Sequence, residues 1–246
     1  MTAFEKEIEE RIIANEKDGY LRAKASAFVS ASIGSRYSYN FSWLGRPIIQ
    51  YPQDIVAMQE LLWKVQPDLI VETGIAHGGS LIFSASMLEL NAICGGPADA
   101  QVVGVDIDIR SHNRAAIEAH PLAKRIRMIQ GSSVAPEIVE KVRAYTVGKE
   151  RVLVCLDSNH THEHVLAELQ HYAGLTTIES YCVVFDTIVD QLPAEMFDDR
   201  PWGPGNNPRT AVREFLKDHP EFLVDERIDH KLQISVAPGG YLKRIR

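Results

Sequence analysis

The feature that most constrains this chain is a rhythm running from Tyr51 to Asp186. Five short apolar runs, DLIVE (68–72), QVVGVDI (101–107), RIRMIQG (125–131), RVLVCLD (151–157) and YCVVFD (181–186), alternate with stretches of helical periodicity. In the first of those stretches, Gln53 to Val65, the apolar residues Ile55, Met58, Leu61, Leu62 and Val65 recur at helical spacing, and Pro67 ends it. The later ones begin near Ser80, Ser111, Ala135 and Thr161. Strands that alternate with helices at this spacing specify βαβ units with right-handed crossovers and a parallel sheet. The runs are nearly continuous in apolar residues, as strands covered by helices on both faces must be.

Outside the rhythm the chain reads differently. Residues 5–17 form an amphipathic helix with Ile8, Ile12 and Ile13 on one side and Gly19 as its stop. The segment 30–50, SASIGSRYSYNFSWLGRPIIQ, is expected to be an irregular arm that carries aromatics. We therefore divide the chain into an N-terminal helical and aromatic arm (1–50) and one compact unit (51–246). The loop between Thr187 and Pro208 is too long for a passive connector and is expected to be a lid or binding loop. A helix follows from Arg209. The C-terminal stretch reads as two strands joined by a charged turn, an antiparallel hairpin at the sheet edge.

Composition excludes several functions. The chain has 26 Lys and Arg against 33 Asp and Glu, a net charge of −7, and no basic face to support sequence-independent binding to nucleic acid. Its 45% hydrophobic and 24% charged residues are ordinary for a globular protein. Three scattered cysteines, Cys94, Cys155 and Cys182, cannot build a disulfide framework. The charged N-terminus lacks the apolar core of a signal peptide, and no run is long enough to span a membrane, so a cytoplasmic location is expected.

The chemistry is concentrated where strands end. In an open parallel sheet, ligands bind outside the carboxyl ends of the strands at the switch point. After the first core strand comes Glu72-Thr73-Gly74-Ile75-Ala76-His77-Gly78-Gly79-Ser80. Its glycines let a ligand approach the backbone and the helix N-terminus. The spacing is not G-x-G-x-x-G, which disfavours a dinucleotide dehydrogenase. Glu72 favours a ligand carrying a cation over one carrying phosphate. After the second strand, Asp106 is placed to accept from both ribose hydroxyls of a nucleoside, with Asp108 as its alternative. After the third, Ser132 and Ser133 can contact an adenine edge or cap the following helix.

The fourth strand leads into Asp157-Ser158-Asn159-His160-Thr161-His162-Glu163-His164. With a helix starting near Thr161, His160 and His164 share a face and His162 points away, which is poor geometry for a three-histidine metal site. The pattern is not H-E-x-x-H either. Asp157 as a ligand for a hard cation and His160 as a general base suit the residues better, with His162 and His164 as ordinary helix-surface residues. Asp186 ends the neighbouring strand, and two carboxylates there could hold Mg²⁺ or Ca²⁺.

The stretches WLGRPIIQYPQD, PDLIVETGIAHGGSLIFSASML, GVDIDIR, LDSNHTHEHVLAEL, DTIV and GGYLKRI together resemble the cephalosporin hydroxylase family (the cephamycin 7α-methoxylation type) of class I S-adenosylmethionine-dependent methyltransferases. The resemblance runs from about Trp43 to the C-terminus. It implies a Rossmann-like methyltransferase fold: a mostly parallel seven-stranded sheet, helices on both faces, and the antiparallel hairpin at the end. By the same resemblance, Glu72, Gly74, His77, Gly78, Ser80, Asp106, Ser132 and Asp157 would bind S-adenosylmethionine. Asp157 and Asp186 would bind Mg²⁺ or another divalent cation, with Asp157 and His160 catalytic. Phe185 stands where the family has the first member of a tandem acidic or amide pair, often Glu. Tyr39, Trp202 and Asn206 would shape the pocket for a small-molecule hydroxyl acceptor such as a sugar, a polysaccharide precursor or a secondary metabolite. A homo-oligomer is expected. The rivals are an iron-dependent hydroxylase using Asp157, His160 and Asp186, and a non-catalytic S-adenosylmethionine-binding partner of a two-protein enzyme.

Overall fold

A computed structural model describes all residues, Met1–Arg246. The chain opens with two helices, α1 (Ala3–Lys17) and α2 (Gly19–Gly34). Thr2 and Glu5 form a reciprocal capping box that satisfies the first free N–H groups of α1. Gly19 lies just past the end of α1, as expected, but it also starts α2, because the Asp18 carboxylate accepts from the Leu21 N–H and caps the new helix. The irregular arm is therefore shorter than 30–50: its first five residues finish α2. The rest is a 3₁₀ turn (37–40) and a hairpin of β1 (Phe41–Trp43) and β2 (Arg46–Ile48). The two residues between these strands, Leu44 and Gly45, both have positive φ, the turn that matches strand twist in a two-residue hairpin.

Next come α3 (Pro52–Val65), β3 (Leu69–Thr73), α4 (Gly79–Ile93), β4 (Gln101–Asp106), α5 (Ser111–Glu118) and β5 (Ile126–Gln130). They are followed by α6 (Pro136–Thr146), β6 (Val152–Leu156), α7 (His162–Tyr172), β7 (Tyr181–Val184), α8 (Pro208–Asp218), β8 (Phe222–Val224), α9 (Glu226–Leu232) and β9 (Tyr241–Arg244). The seven-stranded sheet has the order β5-β4-β3-β6-β7-β9-β8. Strands β3 to β7 pair in parallel, and β9 runs antiparallel to both of its neighbours. This is the seven-stranded, mostly parallel class I methyltransferase arrangement expected. Every residue of β3, β6 and β7 is buried. Alternation splits them between two cores: Ile70 and Leu153 face the α3 and α4 side, while Leu69, Val71 and Val154 face α6, α7 and α8.

The antiparallel pair at the C-terminus is present, but its strands are not joined by a charged turn. ERIDHKL is the helix α9, because Ile228 and Leu232 at i, i+4 give it one apolar face. Its charged face meets other elements: Arg227 Nε donates to Glu9 at 2.8 Å, and Lys231 pairs with Glu60. Below the sheet edge, Asp54 in the first turn of α3 is buried. It accepts from Ser235 Oγ (2.6 Å), the Val236 N–H (2.9 Å) and Tyr241 Oη (2.8 Å). Burial pushes this carboxyl up to about 6 against the pull of those three donors.

Candidate active site

The chain leaves β3 toward β4 on one side and returns through β6 to the other, so the switch point lies between β3 and β6. At their carboxyl ends opens a cavity of about 670 Å³, ample for a nucleoside-sized ligand with a second small molecule. The register Thr73↔Leu156 brings the next residues, Gly74 and Asp157, side by side over it.

The loop after β3 is built from backbone. Gly74 has φ +90°, and a Cβ there would strike the Asp157 carbonyl oxygen, so only glycine lets the two loops meet. Asp106 supports this loop rather than standing free: its Oδ2 accepts from the Ile75 N–H (2.8 Å) and the Ala76 N–H (3.1 Å), and its Oδ1 accepts from Asp108 (3.0 Å). Sequence reasoning missed two further braces. Arg46 Nη2 donates to the His77 carbonyl (2.6 Å) and to Asn113 Oδ1 (2.8 Å), and Asn113 Nδ2 donates to the Ala76 carbonyl (2.9 Å). Arg46 reaches the loop because the β1–β2 hairpin lies on α4, where Trp43 Nε1 donates to Ser86 Oγ at 3.0 Å. The only sequence signal was the WLGRP run itself.

The other side of the cavity is built from titratable side chains. Asp157, His160 and Asp186 each present one ligand atom within 4.8 Å of the others. His160 Nδ1 lies 3.1 Å from Asp186 Oδ2, while its Nε2 is 3.7 Å from Asp157 Oδ1, beyond hydrogen-bond range. Burial pushes the Asp157 carboxyl up, and nearby Asp186 adds to this while His160 opposes it. Burial lowers the His160 pKa, but the Asp186 and Asp157 carboxylates outweigh it and raise it on balance. His160 sits in the turn before α7, whose first residue is His162, so the shared helix face expected for His160 and His164 does not exist. The remaining histidines tie elements together. His162 Nδ1 meets Thr210 Oγ1 (2.8 Å) on α8, and His164 Nε2 meets Ser133 Oγ (3.0 Å) and Ser158 Oγ (3.2 Å).

Of the residues singled out from sequence, Tyr39, Gly74, His77, Ser80, Asp157, His160, Asp186 and Trp202 line the cavity. The Trp202 ring lies 4.9 Å from that of His160. The loop 187–207 supplies an apolar wall through Ile188, Leu192 and Phe197. Glu72, Gly78, Asp106, Ser132 and Asn206 do not line it. Glu72 points from β3 toward α4, buried, and accepts from Ser84; burial pushes its carboxyl up. Asn206 Oδ1 accepts from the His162 N–H (2.9 Å) and its Nδ2 donates to the Pro201 carbonyl (2.9 Å), so it shapes the loop. Neither Ser132 nor Ser133 caps α6, which starts at Pro136 after Ala135. Phe185 is buried in the apolar core. Gln50, marked in the sequence only by its place in the WLGRPIIQYPQD run, donates from Nε2 to Asp157 Oδ2 at 3.1 Å.

Sheet order, switch-point cavity and strand-end carboxylates define a class I methyltransferase fold. Residues 35–245 match the model of the family described as Rhamnosyl O-methyltransferase/CmcI, and the chain belongs to that family. It is 28% identical over 206 residues to the rhamnosyl O-methyltransferase of Mycobacterium leprae (strain TN), covering 82% of each chain. To that of Mycobacterium tuberculosis it is 26% identical over 196 residues, covering 78% of this chain and 73% of the relative. The fold is similar to a CmcI structure with Mg and SAM, at TM-score 0.56 and 20% identity, covering 85% of this chain and 78% of that one. It is also similar to an O-methyltransferase from Bacillus cereus in complex with SAH, at TM-score 0.50 and 15% identity, covering 88% of this chain and 90% of that one. No helix is long and apolar enough to cross a membrane.

Proposed function

We propose that this protein transfers a methyl group from S-adenosylmethionine to a hydroxyl of a small molecule, a sugar being the favoured acceptor. The observation that carries this is His160, placed between Asp157 and Asp186 at the mouth of the switch-point cavity. S-adenosylmethionine supplies an electrophilic methyl on a sulfonium, and a rim holding Asp157 and Asp186 suits its positive charge. A proton held on His160 Nδ1 by the Asp186 carboxylate, 3.1 Å away, would leave Nε2 as the acceptor for the hydroxyl proton. Two carboxylates at this spacing fit a divalent cation, with Asp157 and Asp186 as its protein ligands. When bound, the cation would polarise the acceptor hydroxyl and offset the charge that holds a second proton on His160. Trp202, Tyr39 and the apolar wall from the loop 187–207 would exclude water and orient the acceptor so that its oxygen meets the methyl in line. The relatives named rhamnosyl O-methyltransferase support a sugar acceptor.

Gly74, His77 and Ser80 would contact the cofactor directly, and Asp106 would turn its remaining lone pairs to the ribose while holding the loop. Exposed Phe4, Tyr20 and Phe28 on α1 and α2 support the expected homo-oligomer, while Val29 and Ile48 of the segment 1–50 share one core with α3 and α4. Titration of S-adenosylhomocysteine, followed by methyl transfer from labelled S-adenosylmethionine to rhamnosyl and other glycosides, tests the function. Binding with turnover on a glycoside is expected. Binding without turnover on any hydroxyl would leave the non-catalytic module, and no binding would refute the proposal.

A further inference from the structure

The residue beside the carboxylate cluster that the function above does not use is Gln50. It follows β2, is 8% exposed, and reaches across the crevice to Asp157. Its Nε2 donates to Asp157 Oδ2 at 3.1 Å, while its Oε1 is buried with no donor in the chain to satisfy it. A buried amide oxygen left without a partner carries a desolvation penalty that native interiors rarely leave uncompensated. The amide that carries it lines the cavity with Asp157 and Asp186, its Nε2 rather than its Oε1 facing Asp157, and shares a smaller pocket with the buried ring of Phe185, which offers a cation nothing.

We propose that Gln50 is a metal ligand, supplying through its side-chain oxygen the donor that Phe185 cannot. This inference rests on the cation assigned above to Asp157 and Asp186. Neutral amide oxygens are ordinary ligands for hard cations. Two ligand oxygens at right angles on Mg²⁺, each about 2.1 Å from the ion, stand about 3 Å apart. The amide atom of Gln50 that faces Asp157 Oδ2 is 3.1 Å from it, so the spacing of two adjacent ligands already exists. Without a cation, the amide turns its N–H₂ to the carboxylate. A half-turn of the amide presents oxygen to the cation instead, and breaks only the bond to Asp157, because nothing in the chain holds Oε1. The resulting donor set is two carboxylates and one amide. It carries less charge than a three-carboxylate site and leaves His160 free of the metal.

Mn²⁺ binding to the full chain, followed by electron paramagnetic resonance and by calorimetry with Mg²⁺ as competitor, tests this without turnover. Gln50→Ala is expected to weaken Mn²⁺ binding at least tenfold. Gln50→Glu is expected to match or exceed the wild-type affinity, since it restores an acid within reach. Both variants should bind S-adenosylhomocysteine in metal-free buffer as the wild type does, which shows that they are folded. If Gln50→Ala binds Mn²⁺ as tightly as wild type while Asp157→Asn loses it, the proposal is overturned and the cation site stands without Gln50. If the wild type binds no Mn²⁺ or Mg²⁺ yet still transfers methyl groups, the metal ligand is refuted and the methyltransferase survives.

Discussion

The two sides of the crevice are made in opposite ways. The loop after β3 is held by neighbours from three other elements: Asp106 takes its N–H groups, while Arg46 and Asn113 take its carbonyls. The side formed by β6 and β7 gathers Asp157, His160 and Asp186 within a few ångströms and leaves one buried amide oxygen unpartnered. A loop whose polar groups are satisfied has one shape before any ligand arrives. A cluster of partly buried like charges is held together only because a proton, a cation or a substrate completes it. The first kind of site binds; the second kind reacts.

That contrast can be broken by experiment. The largest effect is expected from the reactive side. His160→Ala should lower kcat by about 10²–10⁴-fold, the usual contribution of a positioned base, while S-adenosylhomocysteine affinity changes less than threefold. Parallel kinetics and calorimetry check this, and a comparable loss in affinity would move His160 to the binding side. Gly74→Ala attacks the line where the sides meet. Positive φ and a Cβ against the Asp157 carbonyl together should cost about 2–5 kcal/mol of stability, read from urea unfolding.

Asp54 tests whether buried charge is confined to the reactive side. Its folded pKa lies above the usual carboxylate value, so protonation favours the fold. Its contribution is complete below about pH 4 and is lost as pH rises through about 6. Relative to Asp54→Asn, the wild type should therefore lose about 2.4 kcal/mol between pH 4 and pH 7.5. Unfolding at the two pH values measures the difference, and a flat difference would show that the Ser235, Val236 and Tyr241 donors hold the carboxylate ionised. The smallest effect belongs to the braced loop. Arg46→Ala should weaken S-adenosylhomocysteine binding about tenfold with kcat little changed, and Arg46→Lys should not restore it, because a single ammonium cannot bridge the His77 carbonyl and Asn113 together. A drop in kcat alone would erase the division between the two sides.

Much of this molecule is legible in its sequence, for a physical reason. Strand period and helix period are local, so the five parallel strands and the helices between them follow from which residues are apolar. Topology alone brings the ends of the neighbouring strands β6 and β7 to one rim, which is why Asp157, His160 and Asp186 could be named as a group. Tertiary structure decided what no local pattern encodes. α9 replaced a turn because Ile228 and Leu232 found a surface to cover. Asn206 and Asp106 acquired backbone partners that depend on where distant loops fall. Arg46 reaches the β3 loop and Gln50 reaches the crevice from an arm more than twenty residues before that loop, and their roles rest on contacts 31 and 107 residues away along the chain. Periodicity fixes what each segment becomes, whereas the partner of a buried polar atom is settled only when the segments have packed.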